Sequence, residues 1–370
     1  MLNLNYKPVE VVDTEGMPND VWLKYRTTGI GGSDVAAIYE VSGWTTKRAL
    51  YYAKLGLEKD EAENGYTLDF GHAVEPFVAA WFQKVFDSKY KKWLENKMKI
   101  KIQNLTIFKD TMMYRHPLYP FMQANLDYRA QILTEDGKVL NGIFECKTTS
   151  YHIGDEKWDD EKVPYEYELQ CRHYMSIMNL DFTIIACLWG NNENDYRVRL
   201  VKRDLDLEEE LIEMERDFWE NNVQAKVPPE LSREHSDQEM EAFKSYKISD
   251  RIKDGTLHEI DTSEKALKDA VSDYYKAVQK LDAAKAHVET IMKEADVAKC
   301  KILEGLAARL DDGQEEFKLD DGLGFFIIKN KKVITKRVDS ERLKLERPDI
   351  LTEFLKKGES TRFSVKKVVI

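Results

Sequence analysis

The chain has 370 residues, with 42% hydrophobic and 33% charged residues and a formal net charge of −11. That mixture excludes general disorder, a collagen-like repeat and a disulfide scaffold. The acidic balance excludes a passive nucleic-acid coat, which carries a basic excess. Cys146, Cys171, Cys187 and Cys300 show no CxxC spacing, so reduced thiols of a cytoplasmic protein are expected rather than a zinc site. No apolar run approaches the ~18 residues of a membrane span, and no charged and apolar leader opens the chain. Neither membrane association nor export by that route is expected.

In chain order, residues 21–25 and 34–39 bracket a glycine turn, Gly29-Ile-Gly-Gly-Ser-Asp34. Apolar residues at three and four spacing predict helices over 49–55 and 73–86. Residues 121–130 and 142–148 read as strands, with the turn signal Glu135-Asp-Gly-Lys138 between them. A helix is expected over 165–178, after Pro164, and a buried strand over 182–189. A further strand over 196–201 and an acidic helix over 207–221 follow. Helices, two strands, helix, two strands and helix make a mixed α/β domain, a sheet covered by helices.

Charge divides the rest of the chain. Residues 204–261 hold 18 Asp and Glu against 7 Lys and Arg, whereas residues 325–370 hold 13 Lys and Arg against 6 Asp and Glu. The expected layout is an α/β domain over 1–225, an acidic polar linker over 226–260, a long helix or helical hairpin over 261–312, and a small basic α+β unit over 313–370. The third segment opens with a capping-box pattern, Asp261-Thr-Ser-Glu264. Leu267, Tyr274, Leu281, Val288 and Ala295 then recur every seven residues, with Val271, Val278 and Met292 four residues after members of that set, a narrow apolar seam. In the last unit, strands are expected over 324–329, 333–337 and 362–370, with helices over 340–357 broken near Pro348.

The chemistry concentrates around two strands. Asp127 lies late in the first, and Glu145 and Lys147 sit two apart on the second, so they share a face. A hairpin between the strands would bring Asp127 beside Glu145. Two carboxylates suit a hard divalent cation, Cys146 can add its backbone carbonyl, and Mg²⁺ keeps waters that leave room for phosphate. An ammonium such as Lys147 can stabilise charge developing at phosphorus. An isolated ExK triplet is common, but Ile143-Phe-Glu-Cys-Lys-Thr-Thr-Ser150 sets these charges in an apolar strand, where an unpaired ion is costly.

Five ordered blocks resemble the YqaJ-type viral recombinases, which belong with lambda exonuclease in the PD-(D/E)xK nuclease superfamily. They are Arg26-Thr-Thr-Gly-Ile-Gly-Gly-Ser-Asp34 with Val41-Ser-Gly-Trp44; Phe70-Gly-His-Ala-Val-Glu-Pro76; Ala124-Asn-Leu-Asp127; Phe144-Glu-Cys-Lys-Thr-Thr-Ser150; and Val163-Pro164 with Tyr167-Glu-Leu-Gln-Cys-Arg-His-Tyr174. The resemblance implies a restriction-endonuclease-like sheet. It implies Asp127 and Glu145 as metal carboxylates, with Glu75 completing the acidic cluster and the Cys146 carbonyl as a further ligand, Lys147 as the catalytic lysine, and Gln170 and Tyr174 as a QxxxY pair at the site. Arg26 and Ser33 match positions that hold a DNA 5′-phosphate. Gly71 and Pro76 flank an expected helix start, which would put Glu75 at a positive helix end. Asp34 is expected to cap rather than bind, since it would repel phosphate. His72 and His173 read as structural.

The function implied is a Mg²⁺-dependent DNA exonuclease of a phage-type recombination system, with Mn²⁺ able to substitute. It would digest one strand of linear duplex DNA from its ends, 5′→3′, and leave a 3′ tail for a single-strand annealing protein. Lambda-like members assemble as trimeric rings, which makes a homo-oligomer an expectation here. The alternatives are an endonuclease or single-strand nuclease on the same core, or an inactive DNA-end-binding scaffold. A GxxxxGK[ST] phosphate loop is absent, which disfavours an ATP-driven helicase-nuclease.

Overall fold

The computed structural model describes residues 2–57, 65–149, 157–158, 161–190, 192–232, 237–240, 264–311, 316–320 and 325–329. It divides into two compact units, Met1–Lys253 and Asp254–Ile370. The division falls within the stretch 226–260.

The first unit is built on a five-stranded mixed sheet. Its strands are β2 (Ile102–Lys109), β5 (Tyr128–Thr134), β6 (Val139–Thr148), β7 (Phe182–Leu188) and β8 (Tyr196–Lys202), in the order β2-β5-β6-β7-β8. β6 and β7 run parallel and the other neighbours antiparallel. The parallel pair needs a crossover, supplied by helix α6 (Tyr165–Met178). β7 is apolar but for Thr183, and its first six residues are buried, as expected where both faces of a strand are covered.

Period-two alternation on β6 sorts its side chains between two cores. Phe144 and Cys146 face a cluster with Val78, Phe82, Leu105 and Ile184, under helix α4 (Gly65–Val85). Ile143 belongs to the other cluster, with Leu169, Tyr174, Met175 and Ile185, under α6. Glu145 and Lys147 share the parity of Ile143, so they point to the α6 face. A second sheet, β1 (Val9–Asp13), β3 (Met112–Arg115) and β4 (Gln123–Asn125), lies on that side with the short helices α1 (Asn19–Arg26), α2 (Val35–Ile38) and α3 (Lys47–Lys54). Helix α5 (Lys91–Met98) leads into β2, and α7 (Leu205–Asp217) continues as a π-helical segment, Phe218–Gln224.

Three expectations are corrected. The strand expected over 121–130 is two strands in different sheets, β4 and β5, because β4 pairs with β3 and β5 with β2 and β6. Asp127 therefore stands at the break between them rather than late in one strand. The helix expected from residue 73 begins at Gly65 and runs through Gly71 and Pro76. Glu75 is mid-helix and does not occupy a positive helix end. Pro76 lacks the N–H that would bond the carbonyl of His72, yet packing of Val78, Ala79 and Phe82 on the sheet holds the helix through it. Strands β1, β2 and β3 were not signalled by the sequence.

In the second unit, α8 (Lys265–Asp311) is one continuous helix of 47 residues, not a hairpin. Its seam residues Leu267, Val271, Tyr274, Leu281, Val288 and Met292 are exposed. β9 (Glu316–Asp320) and β10 (Phe325–Lys329) form an antiparallel hairpin. The capping-box residues 261–263 and the elements expected over 333–337, 340–357 and 362–370 lie outside the described residues. Among the described residues, no helix is long and apolar enough to cross a membrane.

Candidate active site

The last pair of the β5–β6 ladder at this end is Tyr128 with Phe144. Just beyond it, the Asp127 carboxylate accepts a hydrogen bond from the backbone N–H of Cys146 at 2.8 Å. Glu145 Oε1 accepts from Lys147 Nζ at 2.7 Å and from Gln170 Nε2 at 2.7 Å. Gln170 also donates to the Tyr174 hydroxyl at 3.2 Å, one turn along α6. Lys147 lies 5.3 Å from the centroid of the Tyr167 ring, which gives the ammonium a π face to rest on. Tyr167, Gln170 and Tyr174 recur at three and four spacing, so one face of α6 delivers all three. Asp127, Glu145, Lys147, Gln170 and Tyr174 thus meet in one place.

The electrostatics are those of a site short of positive charge. Burial, then the Glu145 carboxylate, pushes the Asp127 carboxyl well above its ordinary value, against the pull of Lys147. Burial also raises Glu145, although Lys147 opposes it. Lys147 is driven the other way: burial would lower it, but Glu145 and Asp127 hold its proton firmly. Glu145 is 1% exposed, and among the described residues its Oε2 has no hydrogen-bond partner. Two carboxylates share one ammonium, and a buried carboxylate oxygen is left over.

Glu75 approaches from the opposite face of the sheet. It forms an ion pair with Lys109 at the end of β2, and His72 is 3.9 Å away. Its charge raises both Asp127 and Glu145, but it makes no contact with either among the described residues. Lys109 also sits over the Tyr128 ring at 4.8 Å. Cys146, on the α4 face, is buried, and its Sγ lies 3.7 Å from the Glu75 carbonyl. Among the described residues, no three His, Cys, Asp or Glu side chains cluster closely enough to hold a metal by themselves.

The donor set nevertheless fits a hard divalent ion. Asp127, Glu145 and a backbone carbonyl offer only oxygen, and the orphaned Glu145 Oε2 is a ligand atom without a protein donor. Mg²⁺ is typically held by one or two carboxylates and completes its shell with water, so two carboxylates suffice.

The glycine turn forms a second cluster. Arg26 Nη2 donates to Ser33 Oγ at 3.0 Å and to Asp34 Oδ1 at 2.6 Å. Lys54 Nζ donates to Asp34 Oδ2 at 2.6 Å and to the Arg26 carbonyl at 2.8 Å. Asp34 also accepts from Gly31 N at 2.8 Å, so it caps the turn as expected. Burial alone would raise the Asp34 carboxyl, but Arg26, Lys54 and the Gly31 N–H hold it down to about 2. Ser33 is exposed and the Arg26 side chain partly so. Lys54 was not found from the sequence; twenty residues from Asp34, it gave no spacing signal.

Gly32 joins the two clusters. A Cβ there would come within 2.6 Å of the Tyr174 ring and 2.9 Å of Gln170 Cγ. The absence of a side chain lets the turn rest directly on the helix that holds Glu145.

His173, on the same helix, is a buried structural residue. Its Nδ1 is 2.7 Å from Glu215 Oε1 and its Nε2 is 2.8 Å from the Gln123 carbonyl. Nε2 faces a carbonyl and therefore donates, while Nδ1 shares a proton with the Glu215 carboxyl. Burial would lower its pKa, but the Glu215 carboxylate raises it.

These residues fall within a recognised domain. The family model of the YqaJ-like viral recombinase domain matches residues 21–181. That region of the chain resembles the YqaJ-like viral recombinase domain. The five motif blocks pointed to that family. The chain is also similar to the uncharacterized protein YqaJ of Bacillus subtilis (strain 168), at 27% identity over 363 residues and 95% of each chain. Solved structures similar to this chain include the alkaline exonuclease LHK-Exo of Laribacter hongkongensis, with TM-score 0.41 and 15% identity over 56% of this chain and 94% of that one. A phage related exonuclease of Haemophilus somnus 129PT aligns with TM-score 0.26 and 12% identity over 55% of this chain and 99% of that one.

Proposed function

We propose that this protein is a Mg²⁺-dependent DNA exonuclease of a phage-type recombination system. The observation that carries the reading is the pair Asp127 and Glu145, buried together against a single lysine with Glu145 Oε2 unpartnered. A divalent cation there would be held by Asp127 and Glu145 and, in the proposal, by the Cys146 carbonyl; Mn²⁺ would substitute. Such an ion supplies a nucleophile from water at neutral pH and polarises phosphoryl oxygens. The chain's own groups do the rest. Lys147, with its proton held by Glu145 and Asp127, remains a cation and offsets charge developing on the phosphoryl oxygens. Gln170 donates to the same Glu145 oxygen as Lys147, and Gln170 in turn donates to the Tyr174 hydroxyl. Glu75, near but engaged by Lys109, adds negative charge to the rim.

Arg26 and Ser33 would hold the 5′-phosphate of a strand end. Arg26 forks onto anions, and together Arg26, Lys54 and Asp34 carry one net positive charge. The proposed product is a 3′ single-stranded tail, taken up by a single-strand annealing protein. The test is degradation of labelled duplex DNA with Mg²⁺, offered as linear 5′-phosphorylated, linear 5′-hydroxyl and covalently closed circular forms. Loss of linear DNA alone, fastest with the 5′-phosphate and abolished by Glu145→Ala or Lys147→Ala, is the expected result. Cutting of the circle would replace the reading with an endonuclease. End binding without cleavage in Mg²⁺ or Mn²⁺ would replace it with a scaffold.

A further inference from the structure

Behind the glycine turn, away from the carboxylates, lies a cavity of about 520 Å³ lined by Thr28, Arg115, Tyr119, Phe121, Arg216 and Trp219, among others. That volume is in the range of ligand sites. Its walls come from three parts of the first unit: the turn, the end of β3 with the following loop, and the end of α7 with the π-helical segment.

Arg115 is the notable wall. Its Nη2 donates to Thr28 Oγ1 at 2.6 Å, and the Gln123 amide, turned to satisfy its neighbours, accepts from Nε at 3.1 Å and Nη2 at 2.7 Å. Among the described residues no carboxylate reaches it and Nη1 has no partner. Arg26, Arg129, Arg172, Arg203 and Arg216 all pair with Asp or Glu. In so acidic a chain, a half-buried guanidinium without a carboxylate facing a cavity marks a place for an anion.

The opposite wall offers planar surfaces. Arg216 lies over the Tyr119 ring at 5.1 Å, with His116 packed 4.7 Å from that ring. Among the described residues, its carboxylate partner is Glu213, which is 61% exposed, so the pairing is screened by solvent. The Arg216 plane thereby rests on the Tyr119 ring while lining the cavity. Trp219 packs against the first core and also lines the cavity. Glu220 lies at the exposed rim. Guanidinium and aromatic planes beside an anion site are what an unpaired nucleotide needs, a base to stack and a phosphate to accept from the free Arg115 Nη1. A duplex keeps its base faces stacked inside and cannot use such a recess.

We propose that this cavity is a second nucleic-acid site, which takes an unpaired nucleotide of single-stranded DNA, its base on Arg216 and Trp219 and its phosphate on Arg115. The choice of DNA rests on the nuclease reading above, whereas the site stands on its own geometry. Thr28 belongs to the same turn as Arg26 and Ser33, so a strand leaving the end-binding cluster has a wall to follow.

The test is binding of a fluorescein-labelled oligothymidylate to the full chain in EDTA, where no cleavage is needed, alongside tryptophan fluorescence. Arg115→Gln and Arg216→Gln are each expected to weaken binding at least tenfold. Arg115→Gln should also lower the slope of log affinity against log salt by about 0.7, the loss of one single-strand phosphate contact. Quenching of tryptophan emission by the oligonucleotide should diminish in Trp219→Phe. Thermal melts establish that each variant is folded, and Arg115→Lys, which keeps the charge without the planar guanidinium, should bind between wild type and Arg115→Gln. Unchanged affinity and salt slope in folded Arg115→Gln and Arg216→Gln would overturn the proposal, as would loss of binding to an acidic peptide with oligonucleotide binding intact. Persistence of Mg²⁺-dependent cleavage in those variants would leave the nuclease reading standing even then.

Discussion

The two charged clusters flanking Gly32 use the same ingredients to opposite ends. Around Asp34, one buried carboxylate receives Arg26, Lys54 and the Gly31 N–H, every oxygen is satisfied, and its carboxyl is held at about 2. Around Glu145, two buried carboxylates receive one lysine, one oxygen is orphaned, and both carboxyls are raised. With all groups ionised, the first cluster carries one net positive charge and the second one net negative. Complete pairing makes Asp34 a piece of scaffold that presents a cation outward. Incomplete pairing leaves the Asp127 and Glu145 cluster wanting a cation of its own. A buried ion pair is therefore informative about function through what it leaves unpaired.

The largest effect should come from breaking the second cluster. Asp127→Asn and Glu145→Gln are expected to cut Mg²⁺-dependent DNA cleavage by at least about 10³-fold, measured in single-turnover assays. The comparison adds that Glu145→Gln neutralises the cluster, so urea unfolding should show unchanged or slightly higher stability. A marked loss would mean that Glu145 is scaffold like Asp34. Asp34→Asn should do the reverse, costing about 3–5 kcal/mol because Arg26 and Lys54 lose their carboxylate partner. Its cleavage of linear duplex DNA with 5′-hydroxyl ends, if the protein is kept folded at low temperature, should fall far less than that of Glu145→Gln.

Metal addition discriminates next. Mg²⁺ at a hundred times its Kd should stabilise the wild type by about 2.7 kcal/mol, and Asp127→Asn by much less; equal shifts in both would deny the site its ion. The pH dependence is comparable in size. Asp34 has its carboxyl depressed, so its contribution is fully present above the unfolded carboxylate range near 3.8 and is lost as pH falls through about 2. His116 is depressed as well, to about 4, by burial and by His173, while its Nδ1 accepts from the Leu118 and Tyr119 N–H groups. The unfolded chain then binds the extra proton, so stability declines as pH drops from about 6.5 and levels near 4, by roughly 3 kcal/mol in all. Unfolding of wild type and His116→Asn between pH 7 and 4 checks this, since the slope should flatten in the variant. The smallest effect belongs far from both clusters: Val288→Glu, 54% exposed on α8, should change stability by no more than about 0.5 kcal/mol.

Much of the site could be read from the chain because its parts are local. Glu145 and Lys147 share a strand face by parity, and Gln170 and Tyr174 share a helix face by four-residue spacing. β7 announced itself by an apolar run. What failed depended on partners distant in sequence. β2 buries few of its residues and alternates poorly, since it forms the edge of the sheet. Nothing local tells that residues 123–125 and 128–134 belong to different sheets. The Asp34–Lys54 and Glu75–Lys109 pairs join residues whose separation has no helical or strand period. Glu75 looked like a helix start because glycine and proline flank it, and packing on the sheet overrode that punctuation.

Gly32 carries a consequence of another kind. On the proposed reading, it fixes the distance between the place where a strand end is gripped and the place where its backbone is cut. That distance is a measuring gauge, set by the thickness of a bare backbone on an aromatic ring. Thickening the contact by a single methyl, as in Gly32→Ala, would recalibrate the gauge, and the length of the released fragments would record the change.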